Sequence, residues 1–311
     1  MNPWRWIGVF LLAALAAAGC SRQPAPAKGR TVRIVSFSPA ITRILFDMGL
    51  GEQVVGVTRF CRLPAGVDRP RVGDAMTINA ETILAVKPDV IFAQSRPSKF
   101  QGVRDVRPDV QIVELTLEEL PDVVAAIERI GRVVGRGDLA AQRAAAFAAA
   151  IQAVRQQVAD RKRPRVLFVM GTDRPTAAGP GTFLADLIVV AGGVNAGQDI
   201  PGQARWRPTQ IEAIIKAAPD VLICQASDPE RGEKVRQYWL KWQDIPAAKA
   251  RRVHVVTDPG WTIPSTQLAE LAGRLARRVH PPEGSVAAET QPASGAASQP
   301  ASGPAPGGTP R

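Results

Sequence analysis

Two stretches of this chain are close copies, ETILAVKPDVIFAQ at 81–94 and EAIIKAAPDVLICQ at 212–225. They align without a gap and agree at Glu81 and Glu212, Ile83 and Ile214, Pro88 and Pro219, Asp89 and Asp220, Val90 and Val221, and Gln94 and Gln225. In each, apolar residues at helical spacing run up to a proline, which has no N–H to donate and stops the helix. A Pro-Asp turn follows, then a β-branched apolar run of the buried-strand kind. A helix–turn–strand unit that recurs once, far along the chain, predicts two lobes built on one α/β plan.

The sequence around each copy extends the plan. VRIVSF (32–37) is β-rich and leads through SPA into ITRILFDMG, where Ile41, Ile44, Leu45 and Met48 share a helical face. Gly49 and Gly51 end that helix, and VVGV (54–57) reads as the next strand. Asn79 is placed to cap the helix over ETILAVK, and DVQIVEL (109–115) supplies a further strand. After Pro164 the pattern returns: RVLFVM (165–170) is a strand and Thr182 is placed to cap FLADLIVVAGG. Strands alternating with helices imply parallel sheets, whose binding sites lie beyond the carboxyl ends of the strands. Between the halves, residues 138–163 are rich in Ala, Gln and Arg with few breakers and predict one long helix. The expected fold is α/β: two Rossmann-like lobes with parallel sheets at 31–137 and 164–280, joined by one long helix at 138–163, with a ligand cleft between the lobes.

The ends differ from this body. Residues 1–19 carry Arg5 ahead of an apolar stretch too short for an ordinary membrane span, as a secretory signal does. Ala17, Ala18 and Gly19 before Cys20 form a lipobox-like sequence, so acylation at Cys20 and anchoring to a membrane on the exported side are expected. Residues 20–30, small and proline-bearing, suit a tether. Residues 281–311 repeat QPASG and are almost all Pro, Ala, Gly, Ser and Gln, with no apolar face to offset ordering entropy, so a disordered tail is expected.

Composition narrows function further. The net charge is +11, but its lysines and arginines are scattered without interleaved aromatics, so no nucleic-acid partner is expected. Only Cys61 and Cys224 follow Cys20, too few for a disulfide framework. The only histidines are His254 and His280, too few for a zinc or manganese receptor, and no metal site is expected. The one tyrosine, Tyr238, falls in a predicted helix and makes a poor axial ligand for haem. Nucleophile elbow, phosphate-binding glycine loop and HExxH motif are all missing, so no catalytic residue is assigned and an enzyme is not expected. A scaffold lipoprotein with a proline-rich tail is the alternative from a different class.

RIVSFSPAITRILFDMGLGEQVVGVTRF, RVGDAMTINAETILAVKPDVIFAQ and WQDIPAAKARRVHVV resemble the cobalamin and ferric-siderophore binding proteins of ABC importers, over about residues 31–280. The resemblance implies two lobes on one rigid bridging helix, a modest closure on a large small-molecule ligand, and docking onto an importer permease through one glutamate per lobe, here Glu81 and Glu212. Helix capping is the plain alternative for both, since Thr209 and Glu212 have capping-box spacing and Glu81 follows Asn79 by two. A monomer is expected.

The resemblance places Phe60 and Trp206 on the walls of the cobalamin cleft and Trp261 in its final loop. The loops after the strands add Ser38, Pro39, Arg59, Gln94, Arg205 and Asp258 as ligand-binding candidates. The sequence departs from the cobalamin pattern at Ala75, Met76, Gln94 and Thr176, where further aromatics occur, which leaves another corrinoid open. Arg59, Arg62, Arg96, Arg174, Arg205 and Arg207 cluster in these same loops, and guanidinium forks would suit a ferric siderophore, haem or the cobalamin phosphate. No cofactor is expected beyond this cargo.

Overall fold

The computed structural model describes residues 31–74 and 76–282. Cys20, the expected signal and tether, and the expected tail beyond Pro282 lie outside the described residues.

Lobe one runs β1 (Ile34–Ser36), α1 (Pro39–Asp47), β2 (Val54–Val57), α2 (Ala80–Ala85), β3 (Val90–Ala93), α3 (Gln101–Val106) and β4 (Gln111–Glu114). Its four strands lie in the order β2-β1-β3-β4, every pair parallel. Side-chain caps start α1 and α2, at Asn79 as the sequence predicts and at Ser38, which the sequence marks only as a ligand candidate. Ser38 Oγ accepts from the Ala40 amide (3.2 Å) at the head of α1, and Asn79 Oδ1 accepts from the Thr82 amide (3.2 Å) at the head of α2.

Two helices follow, α4 (Leu120–Val133) and α5 (Gly137–Gln157). Lobe two then contains β5 (Arg165–Met170), β6 (Thr176–Ala178), α6 (Phe183–Val190), β7 (Val194–Asn195), β8 (Trp206–Pro208), α7 (Ile211–Ala217), β9 (Val221–Gln225), α8 (Pro229–Leu240), α9 (Pro246–Lys249), β10 (Val253–Val256) and α10 (Leu268–Val279). Here the expectation of a parallel sheet is corrected. β10, β9, β5 and β7 are parallel, but β6 and β8 extend the sheet antiparallel, in the order β10-β9-β5-β6-β8. The cause is local: Gly171, at φ +78°, turns the chain straight back after β5 instead of sending it into a crossover helix.

The repeat is structural as well as sequential. The backbone N–H of Arg33 donates to Asp89 Oδ2 (2.9 Å), and that of Arg165 donates to Asp220 Oδ2 (2.8 Å). The guanidinium of Arg33 clamps the carbonyls of Val86 and Lys87 at the end of α2, and that of Arg165 clamps the carbonyl of Ala217 at the end of α7. These bonds satisfy carbonyls that a helix end leaves open. The residues before the two prolines, Lys87 and Ala218, are both left-handed, at φ 46° and 44°. Ile83 and Ile214 are both fully buried beneath.

The junction between lobes is thicker than one helix, and α5 ends at Gln157, six residues short of the expected 163. Its buried residues, Ala140, Ala144, Phe147, Ile151 and Val154, alternate three- and four-residue spacings and form one seam. α4 packs on that seam, and α6 and α10 close it from lobe two. α4 and α5 cross closely: a Cβ at Gly131 would lie 2.1 Å from Ala140 Cβ, so only glycine fits. A single hydrophobic cluster runs from Ile34 and Leu45 through these helices to Phe168 and Leu275. Polar bonds cross the junction too, from the Leu120 amide to Asp186 Oδ2 (2.8 Å), from the Phe183 amide to the Glu118 carbonyl (2.6 Å) and from the Thr266 hydroxyl to Asp47. Separating the lobes would expose many side chains whose burial contributes about 1.5–3 kcal/mol each, which favours a nearly rigid pair.

Candidate functional site

The carboxyl ends of β1, β2 and β3 in lobe one and of β5, β9 and β10 in lobe two carry the loops that line the cleft. The longest leaves β2 and returns to α2 through residues 58–79. A bridge between Val57 and Arg71 closes its base, and Arg71 Nη1 donates to the Thr58 (3.0 Å) and Cys61 (2.8 Å) carbonyls. Cys61 is buried, with Sγ 3.1 Å from Thr42 Oγ1 and 3.0 Å from Thr58 Oγ1, which makes it packing for the loop.

Asp74 organises the rest of this loop. Its Oδ1 accepts from the Met76 (2.8 Å) and Thr77 (2.9 Å) amides, and Oδ2 pairs with Arg59 Nε at 2.8 Å. The amides of Thr77 and Met76, with Arg59 beside them, hold its carboxyl below the usual carboxylate range against the opposing effect of burial. Arg59, so anchored, lies over the Phe60 ring at 4.7 Å from its centroid. Phe60 itself is 60% exposed and Met76 90%, an apolar surface that nothing in the described residues covers. Neither Asp74 nor Arg71 stands out in a motif; the Gly-Asp pair at 73–74 is the local signal, a turn former.

Lobe two offers a different surface. Trp206 in β8 is half-buried, edge-on to Phe183 at 6.1 Å between centroids. Its neighbour Arg205 is exposed, and a Cβ on Gly181 would lie 3.2 Å from Arg205 Nε and 3.4 Å from Glu119 Oε1. Arg205 and Glu119 thus both flank Gly181 at the junction. Pro39 is half-buried at the first position of α1, and Gln94 is exposed after β3.

Four expectations need correction. Trp261 lines no wall: it is 0% exposed, stacked on Phe168 at 6.3 Å, because the turn at 259–262 folds it under α10, where Arg274 and Arg278 approach its ring. Asp258 is committed to that turn, accepting from the Gly260 amide (2.9 Å), Gln267 Nε2 (3.1 Å) and Arg274 Nη1 (2.8 Å). Burial opposes its charge, yet these donors hold its carboxyl below the usual range. Ser38 is buried, capping α1 and donating to Gln94 Oε1. Arg207 is consumed by the Gly197 and Gln198 carbonyls (3.1 Å each) and cannot reach a ligand freely.

Glu81 and Glu212 take the same place, second in α2 and in α7, and both are exposed. The capping box expected at Thr209 does not form: the N-cap position is Gln210, without a side-chain cap bond, and the Thr209 hydroxyl donates to the Gln210 carbonyl. Neither glutamate has a hydrogen bond or ion pair among the described residues. Burial pushes the Cys224 thiol well above its ordinary range, so it stays protonated and inert. No group of three metal-ligating side chains occurs among the described residues, and none of their helices is long and apolar enough to cross a membrane.

Comparison with known proteins matches residues 34–259 to the family described as "Periplasmic binding protein". An ABC transporter substrate-binding lipoprotein of Bacillus subtilis is 27% identical over 271 residues, covering 84% of each chain. A cobalamin-binding protein of Halobacterium salinarum is 27% identical over 201 residues, which is 63% of this chain and 54% of the relative. Among solved structures, a periplasmic heme-binding protein of Roseiflexus sp. RS-1 in apo form superposes with a TM-score of 0.68 at 27% identity, covering 80% of this chain and 98% of that one. With its two α/β lobes facing each other across strand ends, this chain belongs to the periplasmic binding protein family, whose members hold a solute without converting it.

Proposed function

We propose that this chain is an exported lipoprotein, held to a membrane through Cys20, that carries cobalamin or a related corrinoid to the permease of an ABC importer. The observation that supports this most is Phe60, an aromatic ring 60% exposed on a cleft loop that Asp74 and Arg59 fix from behind. A flat macrocycle is the cargo such a wall suits, since a rigid ring offers large contact area at low entropy cost. The cobalamin-binding relative agrees with it. Glu81 and Glu212, exposed at equal positions of the two lobes and without a hydrogen bond or ion pair among the described residues, are the permease contacts in this reading, where charge-assisted bonds to arginines fix orientation.

A second reading, haem or a ferric siderophore, draws on a separate observation. Arg59, Arg62, Arg96, Arg174 and Arg205 are all exposed on the same loops, as anionic cargo would require, and a heme-binding protein is among the similar structures. Titration of the tryptophan fluorescence with cobalamin, cobinamide, haemin and ferric siderophores separates them. Trp206 is the reporter; Trp261 is too deep to touch a ligand. Saturable submicromolar quenching by corrinoids alone supports the first reading, and a selective haemin or siderophore response supports the second. Silence across the panel, repeated by calorimetry, overturns both and favours a different ligand or a scaffold lipoprotein.

A further inference from the structure

A groove of about 940 Å3 runs along the outer edge of β10, between α8 and α10, and its lining is strongly cationic. Arg236 comes from α8, Arg251 and Arg252 from the turn into β10, and Arg274, Arg277 and Arg278 from α10, with Glu233 the carboxylate among the lining residues. β10 is the edge strand of its sheet, so among the described residues no neighbouring strand fills this side.

The arginines divide by what they already do. Arg274 pairs with Asp258 (2.8 Å) and Glu270 (3.8 Å), and Arg252 Nη2 donates to the Val279 carbonyl (2.7 Å). These two hold the groove's walls together. Arg236, Arg251 and Arg277 have no hydrogen-bond or ion-pair partner among the described residues. Their grouping follows from the local sequence without being required by it. α10 buries Leu268, Leu271, Ala272, Leu275, Ala276 and Val279, which leaves positions 274, 277 and 278 for polar side chains of any charge. Like charges brought to one concave surface repel each other and raise the local positive potential, a cost that an anion removes. Guanidinium forks match phosphate oxygens in particular.

We propose that this groove is a second binding site, for a phosphate-bearing anion, separate from the interlobe cleft. Arg251 and Arg252 lie at the amino-terminal end of β10, whereas the cleft lies beyond the carboxyl ends of the strands. Arg236, Arg251 and Arg277 supply the forks, and Arg252 and Arg274 hold the walls that carry them. The phosphate belongs either to a lipid headgroup or to a soluble phosphate ester, and the test tells these apart.

The test uses the chain from residue 20 onward with Cys20→Ser, so that neither an acyl group nor the apolar stretch within residues 1–19 contributes to membrane binding. Inositol hexakisphosphate is titrated by calorimetry, and co-sedimentation is measured with vesicles of phosphatidylglycerol and phosphatidylcholine. One variant combines Arg236→Gln, Arg251→Gln and Arg277→Gln. A second removes the same charge from exposed helix positions elsewhere, Arg104→Gln, Arg143→Gln and Arg155→Gln. The groove variant is expected to bind the hexakisphosphate about tenfold or more weakly, and the distant variant to stay within about twofold of the parent. Equal losses in the two variants would reduce the effect to net charge, and no loss in the groove variant would remove the site; either overturns the proposal. Vesicle binding that disappears only in the groove variant identifies a headgroup, while hexakisphosphate binding without vesicle binding identifies a soluble ester. Melting temperatures of all three chains confirm that each is folded.

Discussion

Lobe one and lobe two share one skeleton and present unlike surfaces to the cleft. Both open with an arginine at the head of the first strand, Arg33 or Arg165, that clamps the end of the repeat helix, and both bury that helix through an isoleucine, Ile83 or Ile214. Above this frame they diverge. Lobe one lifts an aromatic and a methionine into solvent on the 58–79 loop, whereas lobe two turns back on itself and holds Trp206 half-buried in an antiparallel strand. The lesson is that duplication preserved the parts that carry load in each lobe and left the strand ends free to differ. Under the proposed function, ligand recognition is then asymmetric and docking symmetric.

The largest expected effect tests the symmetric half of that comparison. Glu81→Arg with Glu212→Arg is expected to abolish uptake in cells while ligand affinity is unchanged, and each single reversal to impair uptake strongly. Uptake that survives the double reversal would refute docking through these glutamates. One silent single reversal would show that the lobes do not dock alike.

Next comes the shared frame. Ile83→Ala and Ile214→Ala are each expected to cost about 2–5 kcal/mol of stability by denaturant unfolding, and to agree within about 1 kcal/mol, since both side chains are fully buried in equivalent positions. A large mismatch would mean that one lobe relaxes around the cavity and the other cannot.

The cleft surfaces should behave unequally. Phe60→Ala is expected to weaken ligand binding about tenfold or more, near 1.4 kcal/mol, with little change in stability, because its ring is mostly in solvent. Trp261→Ala should do the reverse, costing about 3–5 kcal/mol of stability, since its ring is fully buried. Loss of affinity in a folded Trp261→Ala protein would reopen the assignment of that residue to the cleft wall.

The smallest effect concerns pH, and it belongs to lobe two because both histidines lie there. Burial, with the nearby positive charges of Arg161 and Arg252, lowers the pKa of His280 from its ordinary 6.5. The unfolded chain therefore binds the proton more tightly, and stability should fall as pH drops through about 6.5 toward the lower folded value. His280→Asn is expected to flatten that slope in melting curves taken between pH 7.5 and 5.

Much of the frame was legible in the sequence because it rests on local rules. The caps at Asn79 and Thr182, the helix-stopping prolines and the period-specific apolar runs act within a few residues and appear where they were expected, whereas the capping box at Thr209 does not form. The place of Trp261 was not legible. A tryptophan after a strand can face a ligand or the core, and for Trp261 the turn at 259–262 decides it, which depends on how α10 packs back. The antiparallel β6 and β8 escaped for a similar reason: short strands of three residues carry almost no periodicity.

What the sequence determined by itself was the duplicated α/β plan, the glutamate pair and the paucity of histidine, since each is a matter of residue order or of count. What only the tertiary structure decided was which loop residues are free and which are consumed. Asp258, Ser38 and Arg207 are polar residues on cleft loops, and whether such a group meets a ligand depends on partners distant in sequence, such as Arg274 for Asp258 and Gln94 for Ser38. Hydrogen bonds made inside the fold remove a side chain from recognition, and that accounting exists only once the chain has closed on itself.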